Sequence, residues 1–397
     1  MNLERFIVEN VRGIRASEIR ETLKIIKEKK DVISFAGGMP DPRFFPKKEL
    51  AEISKLVIEK YGKECLQYSE TKGVKEVRKA IQILAKKRGI EAELENIIIT
   101  EGSQQAISMV STALLKKSDI VITESPTYLA ALGSFRICGA RIIGIEMDEN
   151  GMRVDKLEEF LRKNKEIKFV YTIPIAQNPT GLSMSKDRKK YLLELASKFD
   201  FLIVEDDPYG YFVFENVNNE PIKMLDKEGR VIYLSTISKI LAPGLRIGWM
   251  ILPEELSRKF ELFKQYIDLH TTTLTQYLVA EAIKNGLVEK QIKLLKKVYK
   301  KKRDAMLSCL ENFPKWVEFT KPVGGFFIFL KINKKFDGRK SLSLAINKYK
   351  VAYIPGQSFY PNNKGKNTIR LSYSMPPVNL IEKGMDRLKH FLVRVCG

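Results

Sequence analysis

Lys239 stands in the segment STISKILAPGLRIGW, with Ser235, Thr236 and Ser238 before it and Arg246 seven residues on. Small hydroxyls and a guanidinium are what a phosphate anion needs. A lysine beside them is close to the phosphate and shielded enough to act as an amine nucleophile. The chain has 49 lysines, and each is by default a surface charge, so the neighbours carry this reading. A second segment, EGSQQA, follows the apolar run 97–100 and opens a helical pattern. Gly102, Ser103 and Gln104 would present free backbone N–H groups at a helix N-terminus, where phosphate is favoured. A plain Ser103 cap accounts for the same residues. A third, EDDPYGYF, places three consecutive carboxylates after the run 201–204. They suit a solvated loop, a Mg²⁺ site or one acid aimed at a buried cation. In PIAQNPTG, Asn178 follows the run 169–173, and Pro179 and Gly181 shape a turn. In NTIRLSYS, Arg370 sits within a strand pattern, as a bidentate carboxylate fork or as an edge charge.

The elements that must position these groups alternate. Short apolar runs at 97–100, 120–123, 141–145, 169–173, 201–204, 231–235 and 247–252 are separated by helical patterns such as 103–116, 128–138 and 185–199. That alternation predicts an α/β fold, a large domain with a mostly parallel seven-stranded sheet flanked by helices. The last two runs are too close for a helical crossover and should pair antiparallel. In open α/β sheets ligands bind at the carboxyl ends of the strands, where the segments above lie. From residue 300, inside a long basic helix, a smaller α+β domain begins, with strands at 316–320, 325–330 and 368–372 and helices at 341–350 and 377–395. The expected division is an N-terminal arm and part of the small domain at 1–50, a large domain at 51–300 and a small domain at 301–397.

Composition narrows the classes. With 397 residues and 44% hydrophobic content, a sizeable core is expected and wholesale disorder is excluded. The net charge of +21 raises nucleic acid or an acidic membrane as partners. The basic residues, however, are spread at helix spacing among glutamates, and Lys outnumbers Arg 49 to 20, so solvated helix faces are the simpler reading. Four cysteines without C-x-x-C spacing and only two histidines disfavour zinc sites, disulfide frameworks and Ser-His-Asp triads. No apolar leader and no run of about 18 apolar residues occur, so a cytoplasmic chain is expected.

In order along the chain, SEIRE, SFAGGMPDPRFFP, LQYSETKG, EGSQQA, ESPTY, QNPTG, EDDPY, STISKILAPGLRIG, KPVGGFFIFL, IPGQSF and IRLSYS resemble the fold-type I, pyridoxal-phosphate-dependent aminotransferases. The match is to the 2-aminoadipate, kynurenine and aromatic subgroup. The resemblance implies pyridoxal 5'-phosphate held by Lys239 as a Schiff base. It implies Asp206 at the pyridine nitrogen, with Asp207 structural, and Asn178 and Tyr209 at the phenolate oxygen. Tyr128 would cover one ring face, and Ser103, Gln104, Thr236, Ser238 and Arg246 would form the phosphate cup. Tyr68 would reach the phosphate from a neighbouring subunit, implying a homodimer with shared sites. Arg370 would clamp the substrate α-carboxylate, Asn178 would also meet the substrate, and the backbone of Gly38 would lie over it. Arg20, on an N-terminal helix, would meet a distal carboxylate or swing away; its alternative is a surface pair with Glu18 or Glu21. Phe35, Phe44 and Phe45 are candidates for an apolar side-chain pocket, with core packing the expectation for at least two. The implied reaction is ping-pong transfer of an amino group between an L-amino acid (glutamate, 2-aminoadipate or aromatic) and a 2-oxo acid such as 2-oxoglutarate. The same scaffold also supports β-elimination from cysteine conjugates. It also occurs in transcription regulators fused to a winged-helix domain, whose extra N-terminal domain the pattern here leaves no room for.

Overall fold

The computed structural model describes residues 3–14, 18–29, 31–164, 166–215, 217, 219–362 and 364–397. Among them are fourteen strands. The first, β1 (Ile33–Ser34), pairs in parallel with β12 (Val351–Ala352), tying the N-terminal region to the C-terminal part of the chain. The central sheet is built from β2 (Ile97–Glu101), β3 (Ile120–Ser125), β4 (Arg141–Asp148), β5 (Gly151–Met152), β6 (Phe169–Thr172), β7 (Leu202–Asp206), β8 (Val231–Thr236) and β9 (Ile247–Ile251). Its order is β2-β9-β8-β7-β6-β3-β4-β5. The seven expected strands are all present, and the two-residue β5 adds an eighth by folding back antiparallel on β4. A pair that short leaves no periodicity to read.

Strands β4, β3, β6, β7 and β8 are mutually parallel, and β6, β8 and β9 are buried along their whole length. Cover on both faces explains why they read as unbroken apolar runs. The expected antiparallel pairing of β8 with β9 is found. Because β9 is also antiparallel to β2, the chain direction of β2 matches that of β8. The carboxyl ends of β2, β3, β6, β7 and β8, and the start of β9, therefore share one edge.

A second sheet, β10 (Glu318–Phe319), β11 (Phe327–Lys331), β14 (Thr368–Ser372) and β13 (Ile354–Pro355), is antiparallel in the order β10-β11-β14-β13. The helices Gly338–Asn347 and Val378–Cys396 lie close to the expected spans. The divide expected near residue 300 falls inside the 25-residue helix Leu287–Glu311. The helix Lys47–Cys65 packs against Thr273–Lys284, while residues 3–6 and 9–12 bury nothing. Among the described residues no helix is long and apolar enough to cross a membrane.

Candidate active site

The shared strand edge opens onto a cavity of about 280 Å³. It is lined by Ser103 and Gln104 after β2, Tyr128 after β3, Asn178 after β6, Asp206 and Tyr209 at the end of β7, and Thr236, Ser238 and Lys239 at the end of β8. Arg246, one residue before β9, and Gly38 and Arg370 complete the expected set there. Twelve residues spread over more than 300 positions of sequence thus meet in one place, ten through the strand order of the central sheet and Gly38 and Arg370 from outside it.

One end is built for an anion. Gly102, at φ +70°, begins the helix Gly102–Leu114, so the backbone N–H groups of its first turn have no carbonyl partner inside the helix. A Cβ on Gly102 would sit 2.6 Å from Nη2 of Arg246, and one on Gly248 would sit 2.7 Å from the backbone nitrogen of Ser103. Both glycines allow the guanidinium and the helix start to approach each other. Arg246, itself at φ +55°, donates to the carbonyl of Glu101 at 2.9 Å. The Thr236 and Ser238 hydroxyls are 2.8 Å apart, and the Ser238 N–H donates to Oγ1 of Thr236 at 3.1 Å.

The opposite end is acidic. Asp206 is 2% exposed; Oδ2 accepts from the Tyr171 hydroxyl at 2.7 Å, and Oδ1 has no partner. Burial pushes its carboxyl up to about 7, against the Tyr171 bond. The two neighbouring carboxylates point elsewhere. Glu205 accepts from the backbone N–H groups of Ile222 and Lys223, both at 2.8 Å. Asp207 accepts from Arg88, from the Tyr233 hydroxyl and from the Gly210 N–H. Of the three readings of EDDPY, one acid aimed into a buried site is the one the geometry fits. Burial, together with Arg370 and Arg246, lowers the Lys239 amine to about 8, against the pull of Asp206. Burial also lifts the hydroxyls of Tyr128, to about 12, and of Tyr209.

Arg370 is 1% exposed in the middle of β14, between β11 and β13, which excludes the edge-charge alternative. Its guanidinium donates to Oδ1 of Asn178 and to the carbonyl of Ala36, both at 2.9 Å, and stacks 4.2 Å from the Phe327 ring centre. Its Nε has no partner. Lys239 Nζ lies 3.4 Å from the carbonyl of Gly38. A Cβ on Gly38 would come 2.7 Å from Phe327, so only glycine lets this strap lie so low.

Two expected residues are not at the cavity. Tyr68 is 78% exposed, with its ring edge-on to His270. Arg20 is exposed on the helix Glu18–Lys27, and the same helix presents Ile19 and Leu23 to the cavity instead. Glu18 is taken by Arg339 and Ser358. Phe35 is fully buried in the core and Phe44 packs against it; the phenylalanine that faces the cavity is Phe327. Ile19, Leu23 and Phe327, in a helix or strand, and Met39, in the loop after β1, escaped sequence reasoning because an apolar residue carries no local sign of which surface it meets. Tyr171 escaped it too, though a tyrosine at an alternate position of a buried strand signals a hydroxyl needing a partner.

Residues 31–388 match the family model of aminotransferases of class I and II. The chain is 43% identical to aromatic-amino-acid aminotransferase 1 of Thermococcus litoralis, over 98% of this chain and 94% of that one. It is 36% identical to the 2-aminoadipate transaminase of Thermus thermophilus, over 94% and 93%. Among solved structures, a kynurenine aminotransferase of Pyrococcus horikoshii superposes with a TM-score of 0.96 at 44% identity, over 100% of this chain and 99% of that one.

Proposed function

Because the chain belongs to the class I and II aminotransferases, of PLP fold type I, and is a pyridoxal-phosphate-dependent transaminase, we propose how its residues divide that work and on which substrates. The reading is transfer of an amino group between an L-amino acid (glutamate, 2-aminoadipate or aromatic) and a 2-oxo acid such as 2-oxoglutarate. The observation that carries it is the cavity itself, where a half-buried amine and a carboxylate with one orphaned oxygen, from two strand ends of the central sheet, meet a buried guanidinium from the second sheet.

The residues present fit the cofactor. Oδ1 of Asp206 is a buried acceptor without a donor, which a protonated pyridine nitrogen supplies. The Gly102 turn, Ser103, Gln104, Thr236, Ser238 and Arg246 form a phosphate cradle at a helix start. When bound, the cofactor supplies an electrophilic carbon for an amine and an electron sink for the substrate α-carbon.

The chain's own groups do the rest. Asp206 holds the ring nitrogen's proton in place. Tyr128 covers the ring, and Asn178 and Tyr209 bond its oxygen. Asn178 Oδ1 is occupied by Arg370, which leaves the Nδ2 donor for that bond. Arg370 binds the α-carboxylate in a fork; burial lowers its guanidinium to about 10, still charged at neutral pH. Lys239 anchors the cofactor, and once freed its Nζ takes the α-proton and redelivers it. An amine near 8 has both forms within reach at neutral pH. The same groups serve an amino acid and then an oxo acid, giving ping-pong kinetics. Tyr68, exposed here, serves the phosphate of a second subunit in a homodimer.

The test is an absorption spectrum of the holoenzyme before and after glutamate and then 2-oxoglutarate. Loss of the visible band with glutamate and its return with 2-oxoglutarate are expected. A band indifferent to both would overturn the donor and acceptor assignment.

A further inference from the structure

Glu124, the fifth residue of β3, is 1% exposed and lies outside the cavity lining. A buried carboxylate must be satisfied by donors, and here four groups supply them. Oε1 accepts from the Thr172 hydroxyl at 2.5 Å and from the Ile173 N–H at 3.2 Å, both at the end of β6. Oε2 accepts from Nε2 of Gln177 at 2.9 Å and lies 3.5 Å from the Thr127 hydroxyl. Gln177 passes the connection on in both directions. Its Nε2 also donates to the carbonyl of Pro126 at 2.8 Å, and its Oε1 accepts from the N–H and hydroxyl of Thr180, at 2.9 and 2.7 Å.

One carboxylate thus joins two loops that the backbone leaves separate. The loop after β3 ends in Tyr128; the turn after β6 carries Asn178, whose Oδ1 meets Arg370. We propose that Glu124 is a positioning residue that locks residues 125–128 to the turn 177–181 and so sets where Tyr128 and Asn178 meet the cofactor and where Asn178 meets Arg370. The proposal rests on the placement of Asn178 at the cofactor oxygen. A donor at that oxygen stabilises its charged form and lowers the pH midpoint of the cofactor's visible absorption. A displaced turn weakens that bond and lets the midpoint rise. In Glu124→Gln one oxygen becomes an NH₂ group, which must face either the NH₂ of Gln177 or the N–H of Ile173, so one side of the lock is broken at nearly constant volume whichever way the amide turns.

The experiment uses purified protein stripped of cofactor and titrated with pyridoxal phosphate, followed by a pH titration of the reloaded enzyme. Asn178→Ala is the reference. Glu124→Gln is expected to weaken cofactor binding about tenfold, the scale of one charge-assisted hydrogen bond. It should also move the midpoint upward, as Asn178→Ala does, by less. The paired variant E124Q/Q177E restores donor against acceptor between the two side chains but gives up the bond to the Pro126 carbonyl, and should recover part of both losses. Wild-type binding and an unmoved midpoint in E124Q, while N178A moves it, would overturn the role of Glu124. An N178A without effect on the midpoint would instead unseat Asn178, a failure of the functional reading itself. If E124Q does not fold, Gln177→Leu, which removes the other half of the lock, carries the same readouts, and wild-type binding with an unmoved midpoint in that variant would overturn the proposal.

Discussion

The Tyr171 hydroxyl donates to one oxygen of Asp206 at 2.7 Å, and the other oxygen of that carboxylate, buried at the cavity wall, is left without a donor. Tyr171 favours the ionised form of Asp206, which burial otherwise pushes up to about 7. Tyr171→Phe should therefore raise that value further and leave Asp206 protonated over more of the neutral range. Binding of pyridoxal phosphate to the stripped protein should weaken about tenfold at pH 7, by roughly 1.5 kcal/mol, with the deficit shrinking toward pH 9. Asp206→Asn should lose more, and its deficit should not recover with pH. Fluorescence titrations at pH 6, 7, 8 and 9 check both; a pH-independent deficit in Y171F would show that Tyr171 only fills space.

Lys239 carries the reverse linkage. Its folded value, near 8, lies below the 10.5 of an unperturbed lysine. Between those values the unfolded chain holds a proton that the folded, cofactor-free chain does not, so stability rises with pH across that window. Below 8 the penalty of holding the buried charge is fully present. Lys239→Met should raise the melting temperature of the cofactor-free protein at pH 7 by about 2–4 °C while abolishing turnover, and the gain should disappear above about pH 10. Scanning calorimetry at pH 7 and 10 decides it; a destabilised variant at pH 7 would mean that the amine is held charged by partners.

What could be read from the chain is local and periodic. Most of the runs from 97–100 to 247–252 are legible because strands covered on both faces are apolar throughout, the half-exposed β4 being the exception, and β14 matches the expected 368–372 span. Lys239, Asp206 and Asn178 are legible chiefly through the resemblance, since residue types and spacing alone left a surface lysine, a solvated acidic loop and a plain turn open, and the neighbouring Glu205 and Asp207 do serve structure. The parallel pair β1–β12 joins segments some 300 residues apart through two residues each, and nothing in either segment announces it. Glu124 was visible only as a letter in ESPTY, since its four partners come from another strand and the loops around it. In the helix Glu18–Lys27 the apolar Ile19, Leu23 and Ile26 recur at i, i+4 and i+7, so the spacing marks one inward face, but nothing in it says that a cavity rather than plain core lies beneath that face.

Tyr68 offers a test of the second subunit. Subunits bearing Lys239→Ala and Tyr68→Ala are mixed, unfolded and reassembled together. If Tyr68 acts across the interface, a hybrid dimer holds one site with both defects and one with neither. About a quarter of all sites should then be intact in an equal mixture. If Tyr68 served its own subunit, no intact site would form, and activity would stay at the average of the two parents.

The last prediction concerns side-chain choice. The helix Glu18–Lys27 turns Ile19 and Leu23 to the cavity and leaves Arg20 exposed, while Glu18 engages Arg339 and Ser358. In this arrangement the wall beyond Arg370 is apolar, with Met39 and Phe327 adding to it. Apolar lining of that kind favours an aromatic side chain over a charged one. A distal carboxylate would lie against apolar carbon unless Arg20 turns inward, which is costly for an unpaired charge. Leu23→Ala should therefore lower kcat/KM for aromatic donors about tenfold, the scale of a methylene or two lost from a pocket, and change dicarboxylic donors little. Arg20→Ala should do the opposite, sparing aromatic donors and lowering kcat/KM for glutamate and 2-aminoadipate. Steady-state rates of both variants on the two donor classes give the ratio directly. If R20A leaves the dicarboxylic-to-aromatic ratio where the wild type has it, Arg20 is a surface charge and selection lies with the apolar wall alone.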